Sequence, residues 1–198
     1  PVINAGDGGH NHPTQTLADL LTIHREKGRF NDLTVGFCGD LKFGRTVHSL
    51  ITALSRYEHI KFILISPQEL KVPSYVKDLI KEKGLAYKQT TDLDSVMPEL
   101  DILYMTRVQR ERFTDLMEYE RVKDVYILKN SMLASTRPNL RILHPLPRVN
   151  EIAYDVDSNE KAYYFQQAHN GLFARQALIC DCLGITIDEV REDKTIIK

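Results

Sequence analysis

The sequence predicts an α/β fold built on a mainly parallel, open sheet flanked by helices, in the manner of a Rossmann fold. Apolar runs of strand length alternate with amphipathic stretches of helix length. Most of those runs are continuous rather than alternating, as strands covered by helices on both faces must be. No repeat, low-complexity tract or obvious linker interrupts the pattern.

Residues 13–27 open the order as a helix. Pro13 suits a first-turn position, and Leu17, Leu20, Leu21 and His24 recur on one face. A strand is expected at 33–38, a helix at 46–57 and a second strand at 61–66. The next helix, 74–83, is stopped by Gly84 directly after Lys81-Glu82-Lys83. Strands are then expected at 85–89, 101–106, 124–128 and 141–144, and a final helix at 171–183.

The bulk properties limit what such a fold can do. At 198 residues there is room for one large domain, or one domain plus a piece of another. With 42% hydrophobic and 27% charged residues the chain has the makings of an ordinary globular core. A net charge of −1 removes any bulk electrostatic reason to expect nucleic acid or an anionic membrane as partner. Any bound anion must be held by locally placed Arg or His.

No apolar run approaches the ~20 residues of a membrane-spanning helix, and Pro1-Val2-Ile3-Asn4-Ala5-Gly6 lacks the features of a signal peptide. Opening on Pro1 rather than Met points to a fragment or a processed product. Cys38 lies in an apolar strand, while Cys180 and Cys182 sit too close together in a helical pattern to pair easily. Buried thiols in a reducing cytosol are expected, rather than zinc or redox chemistry.

In an open parallel sheet, ligands bind beyond the carboxyl ends of the strands. Three unusual segments fall at such ends: Gly39-Asp40-Leu41-Lys42-Phe43-Gly44-Arg45, Arg107-Val108-Gln109-Arg110-Glu111-Arg112 and Pro145-Leu146-Pro147-Arg148. The polar chemistry therefore converges on one rim. Arg45 and Arg107 are its nearest cations, and two guanidinium forks suit a dicarboxylate at ~1.5–3 kcal/mol per charge-assisted bond. Surface salt bridges to Asp40, Glu111 or Asp115 are the competing use of the same arginines.

Gly36, Gly39 and Gly44 do not have the G-x-G-x-x-G spacing, so a nicotinamide cofactor is not expected. They fit a tight loop that lets backbone approach a ligand. The prolines of His144-Pro145-Leu146-Pro147-Arg148 stiffen that segment, either to present carbonyls to an amine or simply as a rigid turn. The sequence leaves open whether one of its peptide bonds is cis. His10-Asn11-His12 could be half of a metal site, but no Cys/His partner pattern accompanies it, and no metal is expected. His12 and Gln15 are better placed at a helix start, where a donor could polarise a carbonyl oxygen. His24, His48, His59 and His169 read as packing or surface residues.

Taken together, these segments resemble the aspartate carbamoyltransferase family. The matching stretches are Asn4-Ala5-Gly6-Asp7-Gly8, His12-Pro13-Thr14-Gln15-Thr16, the run from Gly39 through Arg45 to Leu50, Met105-Thr106-Arg107-Val108-Gln109-Arg110-Glu111-Arg112, His144-Pro145-Leu146-Pro147-Arg148 and Phe165-Gln166-Gln167-Ala168, in the family's order. The resemblance implies transfer of a carbamoyl group from carbamoyl phosphate to L-aspartate in pyrimidine biosynthesis, with no cofactor, metal or covalent intermediate. It implies that Arg45 and Arg107 hold the aspartate carboxylates with Gln109 assisting, and that His12 is the catalytic donor to the carbamoyl oxygen. It also implies that Gln15 and the Leu146 and Pro147 backbone orient the carbamoyl nitrogen.

The same resemblance implies a cytoplasmic homotrimer with shared active sites, with or without regulatory chains. It divides the chain into a remnant of a carbamoyl-phosphate domain with an interdomain helix (1–27), an aspartate-binding domain (28–165), a C-terminal interdomain helix (166–185) and a tail (186–198). On this view the rest of the second α/β domain, with its phosphate loop, is missing, and the chain alone is inactive. Ala174, Leu178 and Ile179 would form a bare apolar face. Ser135-Thr136-Arg137-Pro138 looks like that phosphate loop but lies too far downstream to serve. Phe43 stands where the family often has Tyr, and Asn150 where it often has Asp. The sister ornithine enzyme differs at Leu146, where it typically has Cys, and two arginines would repel a cationic substrate. A non-catalytic dicarboxylate-binding module is the alternative from another class; it would tolerate loss of His12.

Overall fold

The computed structural model describes residues 1–8 and 11–186. His10, and all of the expected tail except Thr186, lie outside the described residues. Five strands, β1 (Thr34–Cys38), β2 (Lys61–Ile65), β3 (Ala86–Thr90), β4 (Ile102–Met105) and β5 (Arg141–Leu143), form one sheet. Their order is β3-β2-β1-β4-β5, and every pairing is parallel. The α-helices are α1 (Pro13–Lys27), α2 (Arg45–Leu54), α3 (Ser74–Glu82), α4 (Leu116–Val122) and α5 (Tyr164–Leu183).

The continuous apolar strands behave as their composition demands. Val35, Phe37, Phe62, Leu64, Ile102 and Tyr104 point to one face and pack with α2 and α3. Cys38, Ile63, Ile65, Leu103 and Met105 point to the other, where Tyr126, Leu128, Val156 and Tyr164 cover them. Both sides of each central strand are dry. Only the edge strand β3 is half exposed.

Several expectations are corrected. Residues 124–128 do not form a sixth strand; Leu128 makes a single bridge to Ile152. The free edge of β5 is already occupied, because Ile142 donates to the Lys161 carbonyl and accepts from the Tyr163 amide. Tyr126 and Leu128 instead plug the second face of the sheet. The last helix begins seven residues before Gly171, and α4 had no sequence signal strong enough to be expected. Cys38 is buried, but Cys180 and Cys182 are only half-buried thiols.

The face of α1 is also reversed. Its buried side is Thr14, Ala18, Asp19, Thr22 and Ile23. Small side chains there let α5 approach closely, with Gly171 lying against Ala18. Leu17, Leu20 and Leu21 instead line an open groove of about 580 Å³, facing Phe173, Ala174, Ala177 and Leu178. Ile179 is not part of that groove and is half exposed. At about 100° per residue, Ala177 shares a face with Ala174 and Leu178, whereas Ile179 is turned away.

Candidate active site

The chain runs outward from β1 through β2 to β3 and then returns to the other side of β1 as β4. Such a reversal opens a crevice beyond the carboxyl ends of the two central strands. The loop after β1 and the loop after β4 meet there. Gly39, at φ +119°, has no room for a Cβ, which would lie 2.2 Å from the Thr106 carbonyl oxygen. Thr106 Oγ1 accepts from the Asp40 amide at 3.0 Å, and the Thr106 amide donates to Cys38 O at 2.9 Å. Buried Asp40 then folds both loops around itself. Its carboxylate accepts from the Phe43 amide at 2.9 Å and the Gln109 amide at 3.4 Å. Burial pushes its carboxyl above the usual range.

A cavity of about 190 Å³ lies at this rim. His12 and Gln15 line it from the start of α1, and Arg45 and Thr46 from the start of α2. Thr106, Arg107 and Gln109 line it after β4, and Pro145, Leu146 and Pro147 after β5. All seven residues singled out from the sequence are thus brought together. Gly44 and Pro145, expected only as a loop glycine and a stiffening proline, complete the lining together with Thr46 and Thr106, which had been given no role.

Each side chain has a definite anchor. His12 caps α1, accepting from the Thr16 amide at 3.0 Å, and its own amide donates to Ser49 Oγ at 3.0 Å. Its Nδ1 is buried with no hydrogen-bond partner among the described residues. Leaving such an atom unpaired costs about 1–3 kcal/mol unless something in the cavity pairs with it. Burial, with the charges of Arg45 and Arg175, holds the His12 pKa below the ordinary histidine value, which favours the neutral ring. Gln15 Nε2 donates to Asp19 at 2.8 Å, and Gln109 Nε2 donates to Phe43 O at 3.2 Å.

The two arginines differ in what they touch. Arg45 Nη1 donates to Gly8 O at 2.7 Å, tying the N-terminal segment to the start of α2. Arg107 pairs with Glu111, which is the salt-bridge alternative seen from the sequence. Asp40 and Asp115 do not compete for the arginines. Asp40 serves loop amides, and Asp115 caps α4 by accepting from the Met117 amide at 2.8 Å.

The turn after β5 is held from beneath. Leu146–Pro147 is a cis peptide bond, and Leu146 has φ 50°. The Leu146 amide donates to His144 Nδ1 at 2.8 Å. The ring is therefore protonated on Nε2, which donates to buried Glu151 at 2.7 Å. Arg148 is tied to Asp157, and its guanidinium stacks 4.7 Å over Tyr154. The Ser135-Thr136-Arg137 stretch is also spent structurally: Thr136 donates to Leu133 O at 2.7 Å, and Arg137 pairs with Asp101 at 2.9 Å. Phe43 meets Phe113 edge-on, with ring centroids 6.2 Å apart.

Residues 31–182 match the model of the Asp/Orn binding domain of aspartate/ornithine carbamoyltransferase. The chain belongs to the aspartate/ornithine carbamoyltransferase family. Residues 1–25 match that family's carbamoyl-P binding domain. An aspartate carbamoyltransferase catalytic subunit from Phocaeicola vulgatus is 62% identical over 194 residues, covering 98% of this chain and 62% of the relative. One from Clostridium novyi is 59% identical over 185 residues, 93% of this chain and 60% of the relative. The chain thus spans about three-fifths of the length of these curated carbamoyltransferases.

Solved structures agree. The M. jannaschii aspartate transcarbamoylase catalytic subunit superposes with a TM-score of 0.84 at 46% identity, over 90% of this chain and 58% of that one. The Trypanosoma cruzi carbamoyltransferase in complex with N-(phosphonacetyl)-L-aspartic acid superposes at 0.82 and 38% identity, over 90% of this chain and 58% of that one. The sheet and the three rim loops of this chain all fall within the stretch that matches the Asp/Orn binding domain.

Proposed function

We propose that this chain supplies the L-aspartate site of an aspartate carbamoyltransferase, which moves the carbamoyl group of carbamoyl phosphate onto the amino group of L-aspartate. The observation that carries this is a single cavity lined at once by two guanidinium groups, the His12 imidazole and the Leu146–Pro147 turn. Arg45 and Arg107 grip the two carboxylates, with Gln109 beside them. His12 donates to the carbonyl oxygen as the amine attacks and negative charge grows there. The Gln15 side chain and the Leu146 and Pro147 carbonyls accept from the carbamoyl nitrogen. As the new C–N bond forms, the bond from carbon to the bridging phosphate oxygen breaks; the amine proton leaves with phosphate, and N-carbamoyl-L-aspartate remains. Alignment of two small reactants can lower the barrier by up to ~7–11 kcal/mol.

The pair of guanidinium groups favours aspartate over ornithine, whose ammonium they would repel. The relatives named above support the same choice, since both are aspartate enzymes. Pyrimidine biosynthesis, a cytosolic address and a homotrimer of catalytic chains sharing their sites, with or without regulatory chains, follow from the resemblance. Sedimentation of the complete enzyme tests the assembly.

The phosphate grip is expected to come from the rest of the carbamoyl-phosphate domain, of which residues 1–25 match a part. Transfer is therefore expected from this chain joined to a full carbamoyl-phosphate domain, and not from the 198 residues alone. Calorimetry with L-aspartate and succinate, alongside an assay for N-carbamoyl-L-aspartate, tests the proposal. Normal turnover by the 198-residue chain would overturn the division of labour. Failure of the joined protein to bind or use aspartate would overturn the function.

A further inference from the structure

Asp19 is a carboxylate on the buried side of α1, fully shielded from water, one helical turn beyond Gln15. Three donors meet it. Gln15 Nε2 and Gln167 Nε2 reach one oxygen at 2.8 and 2.6 Å, and the Tyr104 hydroxyl reaches the other at 3.0 Å. Gln167, buried on α5, uses its remaining atom in turn: Oε1 accepts from the His144 amide at 2.7 Å. His144 accepts from the Leu146 amide. An unbroken polar chain therefore joins the α1 wall of the cavity to the turn after β5 that also lines it.

A carboxylate can only accept, so both glutamine amides must turn their NH₂ groups toward Asp19. Gln15 is thereby left with its carbonyl oxygen as the acceptor it can offer to the cavity it lines. Gln167 is left with its carbonyl for His144. A buried ionised carboxyl is a costly way to fill a helix face, and alanine or valine would pack there without it.

We propose that Asp19 and Gln167 are positioning residues, setting which atom of the Gln15 amide meets substrate and holding it in register with the Leu146–Pro147 turn. The claim rests on the proposed carbamoyl transfer, in which Gln15 must accept from an N–H of the substrate. Neither residue touches the cavity; both act through others.

Asp19→Leu is the decisive variant. It keeps a side chain of similar size but offers neither glutamine amide an acceptor. Asp19→Asn would not serve, because the Tyr104 hydroxyl can turn to accept from its NH₂ while its oxygen still holds both glutamines. Gln167 stays pinned by His144, so Gln15 is the amide free to turn over, presenting NH₂ where an acceptor belongs. The variant also removes a buried charge, so it should fold. Asn170→Ala is the control: it deletes another buried link between α5 and α1, the 2.9 Å bond to Thr22, far from Gln15 in the network.

Both variants, and Gln167→Ala, should be made in this chain joined to a full carbamoyl-phosphate domain, with kcat, KM, thermal midpoint and crystal structure compared. Asp19→Leu and Gln167→Ala should lose about 10–100-fold in kcat, while KM for aspartate moves by less than about threefold. Asn170→Ala should lower the thermal midpoint and leave kcat unchanged. Unchanged turnover in Asp19→Leu would overturn the proposal, as would a crystal structure in which its Gln15 amide keeps the original orientation. If the unaltered protein fails to transfer carbamoyl, the functional proposal falls, and the orientation of Gln15 in the Asp19→Leu structure still decides the positioning claim by itself.

Discussion

Arg107 and Glu111 face each other one turn apart beyond β4, with Nη2 2.5 Å from the carboxylate. The guanidinium that lines the cavity is thus occupied by the chain's own acid. Their side chains are 36% and 54% exposed, so the pair is worth no more than about 1 kcal/mol. A dicarboxylate offering ~1.5–3 kcal/mol per charge-assisted bond in a shielded cavity can displace Glu111.

Arg107→Ala should therefore raise KM for aspartate by about 10–150-fold, the equivalent of one such bond. Binding on the phosphate side should be unaffected. Initial-rate kinetics in each substrate, with this chain joined to a full carbamoyl-phosphate domain, would show the split. An equal loss for both substrates would argue against a carboxylate role.

His12→Ala should behave differently. Its ring is held beside two arginines with one nitrogen unpaired, a geometry for assisting charge development rather than for holding a diacid. A fall in kcat of about 10²–10³-fold, with aspartate affinity nearly unchanged, is expected. If His12→Ala and Arg107→Ala give the same pattern, the assignment of separate tasks is wrong.

Gly39→Ala tests the crossing of the two central loops. The new Cβ would meet Thr106 O at 2.2 Å in a backbone conformation that side chains rarely adopt. Overpacking and strain together should cost about 2–5 kcal/mol. Urea unfolding would measure it, and a loss under about 1 kcal/mol would mean the loops can part.

Asp19 should leave a signature in acid. Burial pushes its carboxyl up to about 6 from an ordinary 3.8, despite hydrogen bonds from Gln167, Gln15 and Tyr104 and the charge of Arg175. The folded state then holds the proton more tightly than the unfolded chain. This contribution to stability grows as pH falls from above 6 toward 4, by up to about 3 kcal/mol. The stability of the unaltered protein relative to Asp19→Asn should rise over that window. Parallel pH–stability curves would show that Asp19 does not titrate there.

Much of this architecture was legible in the sequence because the signals were local. Pro13 opens α1, Gly84 closes the helix before β3, and the unbroken apolar runs of β1, β2 and β4 declare strands covered on both sides. The rim loops could be located because open parallel sheets place ligands at one end. What stayed hidden depends on distant partners. Residues 124–128 have the composition of a strand, but the edge they would join is taken by 161–163. The four leucine-row positions of α1 looked like its core, yet the helix buries Asp19, whose partners Tyr104 and Gln167 lie 85 and 148 residues away. A charged residue four places after Gln15 was the available clue, since that spacing puts both on one helix face.

The cavity lining springs from loops beyond the ends of neighbouring strands and from helix starts, and no residue of β1–β5 is part of it. Selectivity and scaffold are therefore separable: the lining can be rewritten, loop by loop, without disturbing the frame that carries it. A lineage that serves one anionic and one cationic amine needs no second architecture. It needs only different side chains in the loops after β1, β4 and β5.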